Sequence, residues 1–279
     1  MHLPWLSPED RNAFYSRFES TVTTNLVARH WGVIGRGAPA SSGYTELYIL
    51  DMRGLLLAVG TLRYLLKEQS TIFYRGQANH HAHLTPGVYR TREQLTSDEK
   101  NARVARLEAR LTAITEAFDP VGTPEEREAL AQHYGLPTRC LDVVDHVQTA
   151  AWFACNSDEI STRDAAGHIY ILAVDHDEHY ARAVDLRCKP SNWLRPHLQQ
   201  AYMLFPGPRS SNQSDFNYAC VAHFIIPKPL LRIWSNYESL NPAMMCPKSD
   251  KDQGAYYWET AVDILRRQGL APSDGPIRP

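Results

Sequence analysis

The sequence predicts an α+β fold: a single domain in which N-terminal helices are followed by a mixed or antiparallel sheet with helices packed on it. Three observations point there. Apolar residues at helical spacing crowd the first half, at Phe14, Phe18, Val22 and Leu26 and again at Val104, Leu107, Leu111, Ile114 and Phe118. Strand-length runs rich in apolar, β-branched and aromatic residues stand at 70–77, 167–175 and 219–227. Helices and strands do not alternate as βαβ units require. A chain of 279 residues is long for one domain and short for two, and 43% hydrophobic residues suffice for a large core. Residues 1–69 read as an N-terminal helical part of the domain, and 70–279 as its core, closing on a helix.

Ser7-Pro8-Glu9-Asp10 starts the first helix: Ser7 caps, Pro8 suits the first turn, and the acids face the positive end of the dipole. Residues 35–43, rich in Gly, Ala and Ser, read as a surface loop. Residues 47–66 carry an apolar, mostly helical pattern in which Gly54 and Gly60 are the expected breaks. Residues 70–77 (STIFYRGQ) form a strand, and 79–89 a polar loop. Thr96-x-x-Glu99 is a capping box ahead of the best amphipathic helix. Thr123-Pro124-Glu125-Glu126 opens the next helix. Gly135 ends it in left-handed backbone, with Pro137 just beyond. Asp145 is the expected cap of a short helix through Ala150, Ala151 and Phe153. Residues 167–175 are a strand apolar on both faces, 219–227 another strand, and 250–268 a C-terminal helix ended by Gly269.

Formal net charge is −2 and 22% of residues are charged, so no extended nucleic-acid surface is expected, since such a surface needs a basic face. The five cysteines, Cys140, Cys155, Cys188, Cys220 and Cys246, are scattered without a C-x-x-C pair. That set fits a reducing compartment better than a disulfide framework. The opening MHLPWLSPEDR lacks a basic segment followed by an apolar one, so no signal peptide is expected. The longest apolar stretch, residues 54–60, is too short to cross a membrane. The expectation is a cytoplasmic protein with no membrane partner.

Arg75 ends a strand and is followed by Gly76 and Gln77. Its planar fork matches phosphate or carboxylate, Gly76 gives a ligand close access to backbone, and Gln77 adds a neutral donor and acceptor. Equally, Arg75 can be a core arginine paired with Asp142. The turn Gly135-Leu136-Pro137 holds Thr138, Arg139 and Asp142 on a short rigid segment, either as a site or as a turn that satisfies its own backbone. His133 is a general base, a ligand contact or a cation at a helix C-terminus. His80, His81 and His83 are close in sequence, but no Cys or acid lies nearby and the spacing is poor for zinc, so no metal is expected. Neither a G-x-S-x-G elbow nor a P-loop or Rossmann fingerprint occurs.

Two blocks carry a resemblance. Phe73-Tyr74-Arg75-Gly76-Gln77, with Leu84-Thr85-Pro86 and Arg90 after it, and residues 131–142 (AQHYGLPTRCLD), completed by Ala150-Ala151-Trp152-Phe153-Ala154, resemble the FRG-domain family. A weaker third match is Arg195-Pro196-His197-Leu198-Gln199-Gln200-Ala201. Val143-Val144 stand where the family has Trp-Thr, and Ala201 where it has Gly. The order of the blocks is similar to the layout of the ADP-ribosyltransferase superfamily. That likeness implies that Arg75 contacts NAD, that Thr138 and Arg139 lie on the middle polar strand, and that Gln199 stands on the third, with Glu238 or Glu259 as sources of a carboxylate.

The resemblances imply an NAD-consuming enzyme, a transferase or glycohydrolase, acting as a bacterial toxin or antiphage effector, with NAD as co-substrate. Arg75, Thr138, Gln199 and His133 are the implied catalytic residues. Tyr74, Gly76, Gln77, Arg139 and Asp142 are the implied cofactor contacts, and Tyr74, Tyr134 or Trp152 would stack on a base. The alternative is a recognition module that binds a nucleotide or a phosphorylated partner through the same residues without catalysis.

Overall fold

The computed structural model describes residues 3–24, 33–36, 44–91, 94–115, 122–156, 165–190, 192–210, 213–235 and 242–271. Its centre is one eight-stranded sheet made of β1 (Val33–Arg36), β2 (Thr45–Ile49), β3 (Ser70–Gln77), β4 (Leu141–Val144), β5 (Ala166–Asp175), β6 (Ala181–Asp185), β7 (Ala201–Pro206) and β8 (Cys220–Pro227), in the order β1-β2-β8-β5-β3-β4-β7-β6. β2 runs parallel to β8, and the other neighbours are antiparallel. The helices are α1 (Pro8–Thr24), α2 (Met52–Leu66), α3 (Ser97–Ile114), α4 (Pro124–His133), α5 (Val147–Cys155), α6 (Leu194–Leu198), α7 (Lys228–Trp234), α8 (Pro242–Met245) and α9 (Gln253–Arg267). The fold is the α+β arrangement that the sequence predicts. No helix among the described residues is long and apolar enough to cross a membrane.

β5 is buried from Gly167 to Asp175 because it sits mid-sheet with both faces covered, which is why its sequence is apolar without alternation. One core, holding Tyr74, Ile169, Ile171 and Phe224, lies under α1, α2, α5 and α7. On the opposite face Phe73, Tyr170 and Leu172 pack with Leu84 and Phe216. A third cluster joins α3, α4 and α9 to β7 through Leu107, Leu130, Met203 and Trp258. Each fully buried side chain of this size contributes about 1.5–3 kcal/mol.

The end signals read from sequence operate. Ser7 accepts from Asp10 N, and Thr96 and Thr123 each form complete capping boxes. Within the stretch 250–268 expected to be helical, α9 starts only at Gln253, capped by Asp252. Gly135 has φ +111°, and the bonds Gly135 N to Gln132 O and Leu136 N to Ala131 O close α4 in a Schellman turn.

Three local expectations are corrected. Residues 47–66 are not one helix broken at its glycines. The chain is strand to Ile49, and Asp51 caps α2 by accepting from Arg53 N. Residues 1–69 therefore supply two strands of the sheet as well as helices, with Gly35 inside β1; residues 37–43 lie outside the described residues. Asp145 does not cap α5. His146 holds that position without a side-chain bond, while Asp145 pairs with Arg187 at 2.6 Å. Val22's side chain, Leu26, Phe118 and Glu238 lie outside the described residues.

Candidate functional site

β3 pairs along its whole length with β5, and β4 along its whole length with β7. Between β3 and β4, among the described residues, the ladder holds only at Tyr74 and Val144. Beyond that point the strands part, and the gap exposes backbone polar groups that need partners. Arg75 fills it. Its Nη1 donates to Asp142 Oδ1 and to Asp142 O, each at 2.7 Å. With the Gln77 amide oxygen turned toward the guanidinium, Arg75 Nη2 and Nε donate to it at 3.1 Å each. The Arg75 side chain is 7% exposed, against 49% for Asp142. Arg75 is thus the paired core arginine that Asp142 offered on sequence grounds. Burial alone would raise the Asp142 carboxyl, but the Arg75 and Arg90 charges and the Arg75 hydrogen bond outweigh it and hold it down to about 2.

A pocket of about 220 Å³ opens beside this pair, bordered by Gln132, His133, Phe153, Arg195 and Gln199 as well as Arg75, Gly76 and Asp142. His133 Nε2 and Arg195 Nε are buried without a hydrogen-bond partner among the described residues. Arg195 is 4% exposed; its Nη2 donates to Pro247 O at 3.4 Å, and its guanidinium lies 4.8 Å over the Tyr134 ring. Burial and the Arg195 charge push the His133 imidazole down to about 3, against the pull of Asp142 and of a bond to Arg195 backbone. His133 is therefore neutral at physiological pH. Gln199 Nε2 donates to Met245 O at 2.6 Å.

Thr138 and Arg139 do not border this pocket. Thr138 is fully buried, and its hydroxyl and amide donate to Gln132 Oε1 at 2.8 and 3.1 Å, tying the turn back to α4. Arg139 Nη2 pairs at 2.6 Å with Glu128, which is 1% exposed, and its amide donates to the same carboxylate. This is the turn that satisfies its own polar groups. Gly76 answers a protein neighbour: a Cβ there would lie 1.8 Å from the Ala150 carbonyl oxygen of α5. Gln77 faces Arg75 and borders a second depression with Arg90 and Lys100. Tyr74, Tyr134 and Trp152 are fully buried; Tyr74 borders the pocket, whereas Tyr134 and Trp152 do not. Half-buried Phe153 borders the pocket as well and is the more accessible of the two rings. Glu259 is exposed on α9 and does not border the pocket, so it supplies no carboxylate there; Asp142 does.

Arg75, His133, Asp142 and Gln199 are thus brought together, as expected of one site. Arg195 was passed over, although it begins the third sequence block. Its signal lay in that block, but nothing local says that this arginine will be buried in the wall of a pocket.

No curated protein and no solved structure matches the chain. The model of the FRG-domain family matches residues 70–163, a segment that holds Arg75, Gln132, His133, Asp142 and Phe153 and stops short of Arg195 and Gln199. Over residues 70–163 the chain is thus matched to the FRG domain, the family that its sequence blocks resemble.

Proposed function

We propose that the pocket holds the nicotinamide-ribose part of NAD, and that the protein is an NAD-consuming enzyme of the transferase or glycohydrolase type. One arrangement carries this reading: an ionised, half-exposed Asp142 shares a pocket with two buried polar atoms, Arg195 Nε and His133 Nε2, that no described residue satisfies. Each such orphan costs about 1–3 kcal/mol, which a polar ligand offsets. As the ribosyl C1′–nitrogen bond breaks, the electron pair leaves on nicotinamide and the sugar becomes cationic. A fixed carboxylate stabilises that charge. Water or an acceptor then bonds C1′ and releases its proton to solvent. A volume of about 220 Å³ is below the ~300–1,000 Å³ of drug-sized ligand pockets, so it takes a ring and its sugar, with the rest of the dinucleotide outside. The bacterial toxin or antiphage role implied by the resemblance is the setting that such an activity fits.

A second reading, a recognition module without catalysis, is favoured by the engagement of Arg75, Thr138 and Arg139 in the protein's own contacts. Incubation with NAD and chromatography of free nicotinamide tests the first. The expected result is release by the wild type, at least tenfold reduced in Asp142→Asn and in Arg195→Ala. Calorimetric binding of NAD or ADP-ribose without release, lost in Arg195→Ala, would support the module. Neither release nor heat at millimolar ligand would remove the transferase reading and leave the module, with a phosphorylated partner, as the better account.

A further inference from the structure

A polar row crosses the sheet from Arg75, at the edge of this pocket, to β2. Glu46 on β2, His223 on β8, Tyr170 on β5 and Arg75 on β3 are register partners in sequence across neighbouring strands. His223 is fully buried, and Glu46 Oε1 lies 3.1 Å from its Nδ1. On its other side, His223 Nε2 lies 3.0 Å from Nδ1 of His168, which is 5% exposed. Tyr170 stacks on the His223 ring at 4.4 Å and 2°. His80, exposed on the loop after β3, brings its ring to 5.4 Å from both His223 and His168. One ligand atom each from Glu46, His80 and His223 lies within 4.8 Å of the others.

We propose that Glu46, His80 and His223 form a divalent metal site of the zinc class, with His168 as the partner that orients His223. The chemistry of the donors fits. Two imidazoles and one carboxylate, with a fourth position for water, are a recurrent zinc set. Bonds of about 2.0–2.1 Å in tetrahedral geometry put ligand atoms roughly 3.3 Å apart. The Glu46–His223 separation of 3.1 Å is already at that spacing. His80 closes the remaining distance by a small shift of an exposed loop residue. A ligating imidazole commonly engages its second nitrogen with a neighbour, which fixes its tautomer and ring orientation. His168 stands in that place at His223 Nε2. One part of the site is thus built into β2, β5 and β8, and the third ligand is a single exposed histidine next to the strand that carries Arg75. A bound ion clips that loop to the sheet.

The test uses the full chain, stripped of metal by chelator and titrated with Zn²⁺ against a chromophoric competitor, with a parallel Co²⁺ titration read by visible absorbance. One equivalent should bind with micromolar or tighter affinity, give tetrahedral Co²⁺ bands and raise the melting temperature. His80→Ala, whose side chain is exposed and whose loss should leave the metal-free melting temperature unchanged, should weaken binding at least tenfold. Glu46→Gln should do the same. His83→Ala, a neighbouring histidine outside the trio, should not. Absence of stoichiometric binding in the wild type would overturn the proposal. So would unchanged affinity in both His80→Ala and Glu46→Gln, or an equal loss in His83→Ala.

Discussion

Arg75 Nη1 bridges Asp142 twice, to the side-chain Oδ1 and to the main-chain O, each at 2.7 Å. One guanidinium therefore replaces ladder bonds where β3 and β4 part and also fixes the charge of the carboxylate at the pocket. Structure and site chemistry meet in that contact.

Arg75→Ala should cost about 2–3 kcal/mol, less than the roughly 3–5 kcal/mol for breaking a fully buried pair, because half-exposed Asp142 can hydrate. Asp142→Asn keeps the backbone acceptor and the shape, and should cost about 1 kcal/mol. Urea unfolding of both variants measures the difference. Equal losses would mean that the main-chain bond contributes little.

Gly76→Ala should be among the most destabilising single changes in the chain. The new Cβ would meet Ala150 O at 1.8 Å and Ala154 N at 2.9 Å, both backbone atoms of α5 that cannot swing aside. A loss of about 3 kcal/mol or more is expected, with α5 displaced from β3. A variant within 1 kcal/mol of the wild type in urea would show that α5 yields easily.

Arg139→Lys should lower stability by about 2 kcal/mol and leave nucleotide titration of the folded protein unchanged. Glu128 is buried, and an ammonium cannot reproduce the guanidinium bonds from Nε and Nη2. Thermal unfolding and calorimetry together check this. Weakened binding at unchanged stability would return Arg139 to the site.

Acid should destabilise the protein in two steps. His133 is held down to about 3 in the fold, against about 6.5 unfolded. Between those values the unfolded chain binds the extra proton, so stability falls as pH drops through that window. Asp142, held down to about 2, contributes stability that is present above the unfolded carboxylate value and is lost as pH falls toward 2. His133→Gln should flatten the melting-temperature profile between pH 6.5 and 4 and leave the lower step. His223, also pushed down to about 3, keeps part of the first step. An unchanged profile in His133→Gln would mean that the imidazole is already charged in the fold.

The sequence by itself determined what depends on neighbours within a helical turn. The caps at Ser7, Thr96 and Thr123 and the left-handed stop at Gly135 use partners a few residues away. The mixed architecture and the strands at 70–77 and 167–175 were legible from residue pattern, and the FRG-like blocks contain Arg75, His133, Asp142 and Gln199. Tertiary structure decided what each polar side chain faces. Arg75 meets Asp142 67 residues away, and His223 meets Glu46 177 residues away. Such partners follow from strand order and register. A pattern of period two says which residues share a face, but not which strand lies alongside. The same limit made Thr138 and Arg139 look like ligand contacts, when α4 folds back to take both, and left Arg195, named in the third block, without a role. A local signal fixes a turn, whereas a pocket forms where distant strands part.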